Sequence, residues 1–259
     1  MERWRKMVAG GLAAIGLSFA GLLYGIGYFG GPTFFDIPAR AAPPPREADV
    51  AAVIFSGNMG FHIGQAVKVS KGLAARGLPV VGVNSLTYFR KARSPAQTTA
   101  LVEKAIDHAL QVSHRTQVSL VGISFGADIL HVGLAGLPPL YRAKVRNVVL
   151  VVPGAIVELQ ASPLEIMPIS APHRDGTLTG RQLDWIPVTC IWGAAEKDSL
   201  CPLLTLPNMT HRPMAGGHML GRDTGLETAT IFEAIDSASL SGAATPPGSG
   251  ASPPPPPAG

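Results

Sequence analysis

The sequence predicts an α/β fold with a mostly parallel sheet flanked by helices, on three observations. Short runs rich in Val, Ile and Leu recur at residues 50–55, 79–83, 118–123, 145–152 and 188–192, with a weaker sixth at 209–214. Helical stretches at 63–76, 95–113 and 124–135 fall between them, and one at 224–237 follows the last. Residues 148–152 are almost continuously aliphatic, which suits a strand buried on both faces. Apolar runs alternating with helices read as βαβ units.

The first strand ends at Ser56-Gly57, and the helix after it stops at Gly77. Pro95 opens the next helix, and Pro153-Gly154 closes the fourth strand. Residues 155–186 are too long for a plain connection and predict a lid-like insertion beside the site. With 46% hydrophobic and only 15% charged residues, one domain at 49–240 has ample material for a core.

The ends of the chain read differently. Arg3, Arg5 and Lys6 precede an uncharged, glycine-containing stretch that is most apolar from Met7 to Phe29, long enough to cross a bilayer. Residues 1–35 are therefore expected to be a membrane anchor or a signal segment. Basic residues before the span put the domain on the far side of the membrane, outside the cytoplasm. Ala39-Arg40-Ala41 resembles a cleavage site but lies far from the apolar run, which favours an uncleaved inner-membrane anchor over a removed signal. Residues 36–48 read as a Pro-rich linker, and 241–259 as a disordered Pro-rich tail.

Composition excludes some classes. The net charge of +4 is scattered or sits at the N-terminus, and no basic run stands beside aromatic residues, so nucleic-acid binding is not expected. The two cysteines, Cys190 and Cys201, lack zinc-site spacing, and no metal or other cofactor is expected. In an exported chain an even count permits a disulfide, and this pair brackets a short loop.

The chemistry centres on Gly122-Ile123-Ser124-Phe125-Gly126. This motif is weak by itself in a chain with 30 glycines. Its place between a predicted strand and a predicted helix is what a nucleophile elbow requires, and it points to an α/β-hydrolase-type fold with Ser124 as nucleophile. A serine hydroxyl needs a base, and this fold orders the triad Ser, acid, His. His218, in the flexible loop after the sixth strand, is the expected base. Asp198, before the Leu200-Cys201-Pro202 turn, is the favoured acid and Glu196 its rival. The oxyanion hole is expected from the backbone of Phe125 and of Asn58 or Met59 in the Gly-rich loop after the first strand. Asp128 reads as a structural hydrogen-bond partner. Phe61, Tyr88, His173 and Glu196 are candidates for substrate contact.

The chain also resembles the bacterial virulence-associated VirJ/AcvB family of exported α/β-hydrolase-like proteins. The resemblance spans about residues 50–236. It rests on Phe55-Ser56-Gly57, Val83-Asn84-Ser85-Leu86-Thr87-Tyr88-Phe89 with Ser94-Pro95, and Gly122 through Asp128. It continues through Cys190-Ile191-Trp192-Gly193 to Cys201 and Gly216-Gly217-His218. It implies a periplasmic domain and, for AcvB-like members, hydrolysis of the aminoacyl ester of lysyl-phosphatidylglycerol. The family often carries acidic residues where Asn58 and Asn84 stand, and an aromatic one at Arg90. The resulting expectation is a serine ester hydrolase acting on a membrane lipid. A general carboxylesterase or lipase, or a non-catalytic accessory protein touching secretion machinery, are the alternatives.

Overall fold

The computed structural model describes residues 1–163 and 169–241. The Pro-rich tail from residue 242 onward lies outside the described residues, as do residues 164–168 of the insertion.

The apolar helix α1 (Glu2–Gly25) is about 36 Å long at 1.5 Å per residue. It does not lead into a free linker. Leu23 and Ile26, at its end, are 4% and 2% exposed in the domain core. Phe34–Ile37 then forms β1, at the edge of the main sheet. The expected 36–48 linker is thus partly a strand and then a packed segment. Phe34-Phe35-Asp36-Ile37 has the aromatic and β-branched residues a strand favours. Phe35 stacks on Phe61 at 5.2 Å, and Phe34 on the His108 ring at 4.8 Å. Ala42-Pro43 passes so close over Gly77 that a Cβ there would lie 2.5 Å from the Ala42 carbonyl.

The domain continues with β2 (Val50–Phe55), α2 (Gln65–Ala75), β3 (Val80–Val83), the short α3 (Ser85–Phe89) and α4 (Pro95–Ser113). Ser94 and Gln97 form a reciprocal capping box at the start of α4. Next come β4 (Gln117–Ile123), α5 (Phe125–Ala135), α6 (Pro139–Arg142) and β5 (Val145–Val151). The insertion holds a small hairpin, β6 (Ile156–Val157) with β7 (Arg174–Asp175), and α7 (Thr177–Gly180). β8 (Val188–Gly193), β9 (Met209–Met214) and α8 (Thr224–Ser241) complete the order.

The main sheet runs β1-β3-β2-β4-β5-β8-β9, with β1 antiparallel and the rest parallel. Alternating residues feed two cores. Val53, Phe55 and Leu120 pack with Val102 and Leu130 of α4 and α5. Ala52, Ile54 and Val121 pack with Leu73 and Ile231 of α2 and α8. The chain steps from β2 outward to β3, then returns to place β4 on the other side of β2. The carboxyl ends of β2 and β4 therefore form a topological switch point, where open α/β sheets place their sites.

Candidate active site

Ser124 follows β4 directly and has φ 54° and ψ −126°, a left-handed conformation unfavourable for any side-chain-bearing residue. Its N–H donates to Val151 O at 2.8 Å, fixing the turn to β5. The two glycines are steric requirements. A Cβ on Gly126 would lie 2.1 Å from Phe55 O, and one on Gly122 2.5 Å from Ala127 Cα. Strand and helix can approach closely enough to project the Ser124 hydroxyl only without those atoms.

His218 arrives from the loop after β9, with its Nε2 2.8 Å from Ser124 Oγ. Its Nδ1 lies 2.5 Å from Glu196 Oε1, and the Glu196 side chain is only 5% exposed. The acid paired with His218 is therefore Glu196, a correction to the expectation of Asp198. The cause is the path of the loop after β8. Ala194 and Ala195 donate to Met214 and Gly216 carbonyls, and Glu196 N–H turns back onto Gly193 O, so Glu196 stays beside the His218 loop. By Asp198 the chain has crossed to the insertion, where Ala155 N–H donates to Asp198 O and Leu200 N–H to Pro153 O.

Cys190 and Cys201 form a disulfide with Cα atoms 5.6 Å apart. It ties β8 to the turn after Leu200, closing the loop that carries Glu196. Gly193 has a role that sequence reasoning missed: a Cβ there would sit 2.2 Å from Gly217 O. A glycine at a strand end followed downstream by a Gly-Gly-His loop was the available signal.

Phe125 is the first residue of α5, so its N–H has no partner one turn back in the helix, and the residue lines the cleft beside Ser124. The loop after β2 passes over Ser124, with the Gly57 Cβ position 3.5 Å from Ser124 Cβ. Asn58 and Met59 both line the cleft, and Asn58 Oδ1 also accepts from Ser162 N–H at 3.3 Å, pinning the insertion.

The cleft has two lobes meeting at Ser124, Asn58 and His218. The larger, about 480 Å³, is lined by Met59, Ile63, Lys68, Met219 and Arg222 among others, and no carboxylate lines it among the described residues. The smaller, about 160 Å³, is lined by four carboxylates, Asp128, Glu158, Glu196 and Asp198, and by no Lys or Arg among the described residues. Burial, with Glu196 and Glu158 nearby, pushes Asp128 up to about 8, although it accepts the Gly154 N–H at 2.8 Å. Glu196 Oε2 is buried and has no hydrogen-bond partner among the described residues.

Three expected substrate contacts fall elsewhere. Phe61 is 2% exposed and lies in the core under Gly82 and Phe35, because the loop after β2 folds it beneath the sheet edge. Tyr88 lies outside both lobes; its hydroxyl donates to Gln97 O at 3.1 Å and its ring is covered by Arg93. His173 is exposed and pairs at 2.9 Å with Glu158, which lines the small lobe. Of the three positions at which the sequence departs from the pattern it resembles, Asn84 caps α3, and Arg90 donates to Phe29 O beside α1. Only Asn58 reaches the cleft. His131 is buried in α5 against Thr179, and burial lowers it to about 4, so it stays neutral and apart.

The solved structures that resemble this chain are α/β hydrolases, at identities that speak for the fold alone. Est1E from Butyrivibrio proteoclasticus, with ferulic acid bound, superposes with a TM-score of 0.56 at 13% identity, covering 80% of this chain and 95% of its own. MenH from S. aureus gives 0.54 at 10%, covering 80% and 99%. XC6422 from Xanthomonas campestris, an α/β serine hydrolase without a lid, gives 0.51 at 14%, covering 80% and 91%. No curated protein sequence matches the chain. The family model of the bacterial virulence protein VirJ matches residues 49–239, nearly the whole domain after α1 and β1, and the chain belongs to that family.

Proposed function

We propose that the protein is a serine ester hydrolase, and that its substrate is an aminoacylated membrane lipid of the lysyl-phosphatidylglycerol kind. The observation that carries the reaction class is the continuous relay from Ser124 Oγ through His218 to Glu196, at 2.8 and 2.5 Å. Ser124 Oγ attacks the ester carbonyl while His218 Nε2 takes its proton. Glu196 holds Nδ1 protonated and stabilises the imidazolium. The N–H of Phe125 and the loop at Asn58–Met59 receive the oxyanion. The intermediate collapses, and His218 returns the proton to the departing lipid alcohol. Water, deprotonated by His218, then attacks the acyl-enzyme and releases the amino acid and free Ser124.

The substrate class is supported by the four carboxylates of the small lobe, which suit an aminoacyl group carrying ammonium charge. The unpartnered Glu196 Oε2 is ready to accept from such a donor. The large lobe would take the lipid side of the ester. The apolar α1 with Arg3, Arg5 and Lys6 before it supports an anchor in the inner membrane with the domain in the periplasm, and the disulfide suits that oxidising compartment. The membrane is thus the proposed partner.

The test is turnover of aminoacyl-phosphatidylglycerol and of a generic short-chain ester by the wild type and Ser124→Ala, with fluorophosphonate labelling alongside. Loss of both activities and of the label with Ser124→Ala is expected. Undiminished turnover would remove Ser124 from the mechanism, and absence of labelling in the folded wild type would favour a non-catalytic accessory protein. Preference for generic esters would replace the lipid by a carboxylesterase substrate.

A further inference from the structure

The large lobe of the cleft and the end of α1 share a wall. Gly60 lines the lobe, and its Cβ position would be 2.9 Å from Ile26 O. Gly27 packs on Asn84, Thr87 and His62, and Thr87 Oγ1 donates to Gly27 O at 2.8 Å. Asn84 N–H donates to Thr33 O at 2.8 Å and Arg90 to Phe29 O at 2.5 Å. These contacts hold the end of the apolar helix rigidly beside the cleft. Cleavage near Ala41 would remove Leu23, Ile26 and β1 from the fold, so the helix is a structural part of the domain.

The mouth of this lobe has the composition of a surface that lies on lipid. Ile63 and Met219 line the lobe yet are 42% and 49% exposed. Lys68 and Arg222 line the same lobe and are exposed. The nearest acid in sequence, Asp223, is engaged in capping α8, where its Oδ1 accepts Leu226 N–H at 2.9 Å. Apolar side chains insert into the headgroup boundary while basic ones meet anionic headgroups, and each strengthens the other's hold. The carboxylate-lined small lobe lies on the other side of Ser124, where it would be turned from a negative surface.

We propose that the mouth of the large lobe, at Ile63, Lys68, Met219 and Arg222, sits on the surface of the anionic bilayer that α1 crosses. A lipid can then enter the cleft from the bilayer without passing through water. The contact is independent of the reaction assigned above, because it rests on α1, the rim and its charge.

The experiment reads position rather than catalysis. Full-length protein carrying Ile63→Cys or Met219→Cys is spin-labelled, the native cysteines being buried in their disulfide. It is reconstituted into bilayers of phosphatidylglycerol or of phosphatidylcholine. Val112→Cys, exposed near the end of α4 beside the starts of β2 and β3, at the end of the strands remote from the site, is the control. In phosphatidylglycerol, labels at 63 and 219 should show a severalfold higher ratio of oxygen to aqueous-nickel collisions than the label at 112. Thermal melts of the three variants confirm that each is folded. Labels at 63 and 219 that are as water-exposed as the control would overturn the proposal. So would equal shielding in phosphatidylcholine, which would remove the basic residues from the contact.

Discussion

Glu196 Oε1 stands 2.5 Å from His218 Nδ1, while Asp198, two residues on in the same loop, makes no hydrogen bond to that imidazole. Losing the acid of a Ser-His-acid relay costs about 10⁴-fold in kcat, because the imidazole then rests in the wrong tautomer. Glu196→Gln should show a loss of that order on a neutral ester. Asp198→Asn should stay within about tenfold, since it removes a lobe carboxylate and leaves the relay intact. Steady-state kinetics of the two variants decide it, and the opposite ranking would make Asp198 the acid.

The residues that sequence reasoning placed well are those constrained by a local rule. Ser124 sits where a strand must turn into a helix, and the pattern of Val148–Val151 is that of a strand buried on both faces. His218 follows from chain order. The choice between Glu196 and Asp198 depended on long-range hydrogen bonds to Met214, Gly216 and Ala155, which leave no local trace. Phe61 and Tyr88 looked like pocket residues because they are aromatic and near the motifs. The burial of Phe61 under Gly82 and the cover of Tyr88 by Arg93 are tertiary. The strand at Phe34–Ile37 was hidden by the neighbouring prolines and by the apolar run before it.

Gly193 brings the His218 loop against β8, and its missing side chain can be tested directly. In Gly193→Ala the new methyl would meet Gly217 O at 2.2 Å, and backbone on both sides must move. A shift of roughly 1 Å in a catalytic group costs on the order of 10²-fold in rate. The variant should keep its circular dichroism spectrum yet lose about that factor in kcat and label more slowly with fluorophosphonate. Wild-type labelling would show that the His218 loop does not depend on this contact.

The Cys190–Cys201 bridge closes an 11-residue separation around Glu196. On the chain-entropy model a loop of this size is worth roughly 2–3 kcal/mol. Cys190→Ala with Cys201→Ala should lower the thermal midpoint accordingly, and kcat should fall as Glu196 loses its fixed position. Reductant should do the same to the wild type and nothing to the double variant. A double variant with an unchanged midpoint would make the bridge dispensable.

Asp128, raised to about 8 mainly by burial, is mostly protonated at neutral pH. A cation entering the small lobe favours its ionised form. Binding of a cationic aminoacyl ester analogue at pH 7 should therefore release a proton, seen by calorimetry in buffers of different ionisation enthalpy. Asp128→Asn should abolish the release and raise KM for the cationic ester while leaving a neutral ester unaffected. Binding without proton release would place the ammonium group elsewhere.

Glu227 offers a stability test away from the cleft. It is fully buried in α8, neither carboxylate oxygen has a hydrogen-bond partner among the described residues, and burial raises it to about 7. Between its ordinary value of 4.5 and about 7 the folded protein holds a proton that the unfolded chain has released. Stability therefore falls as pH rises through that window and levels off above it, by at most about 3 kcal/mol in total. Glu227→Gln has no proton to lose. The difference in thermal midpoint between this variant and the wild type should shift in the variant's favour from pH 4.5 to pH 7.5 and then stay constant. Asp128 contributes to both proteins alike, so it cancels from that difference. A difference that does not change with pH would mean that Glu227 is ionised in the folded state and has found a partner.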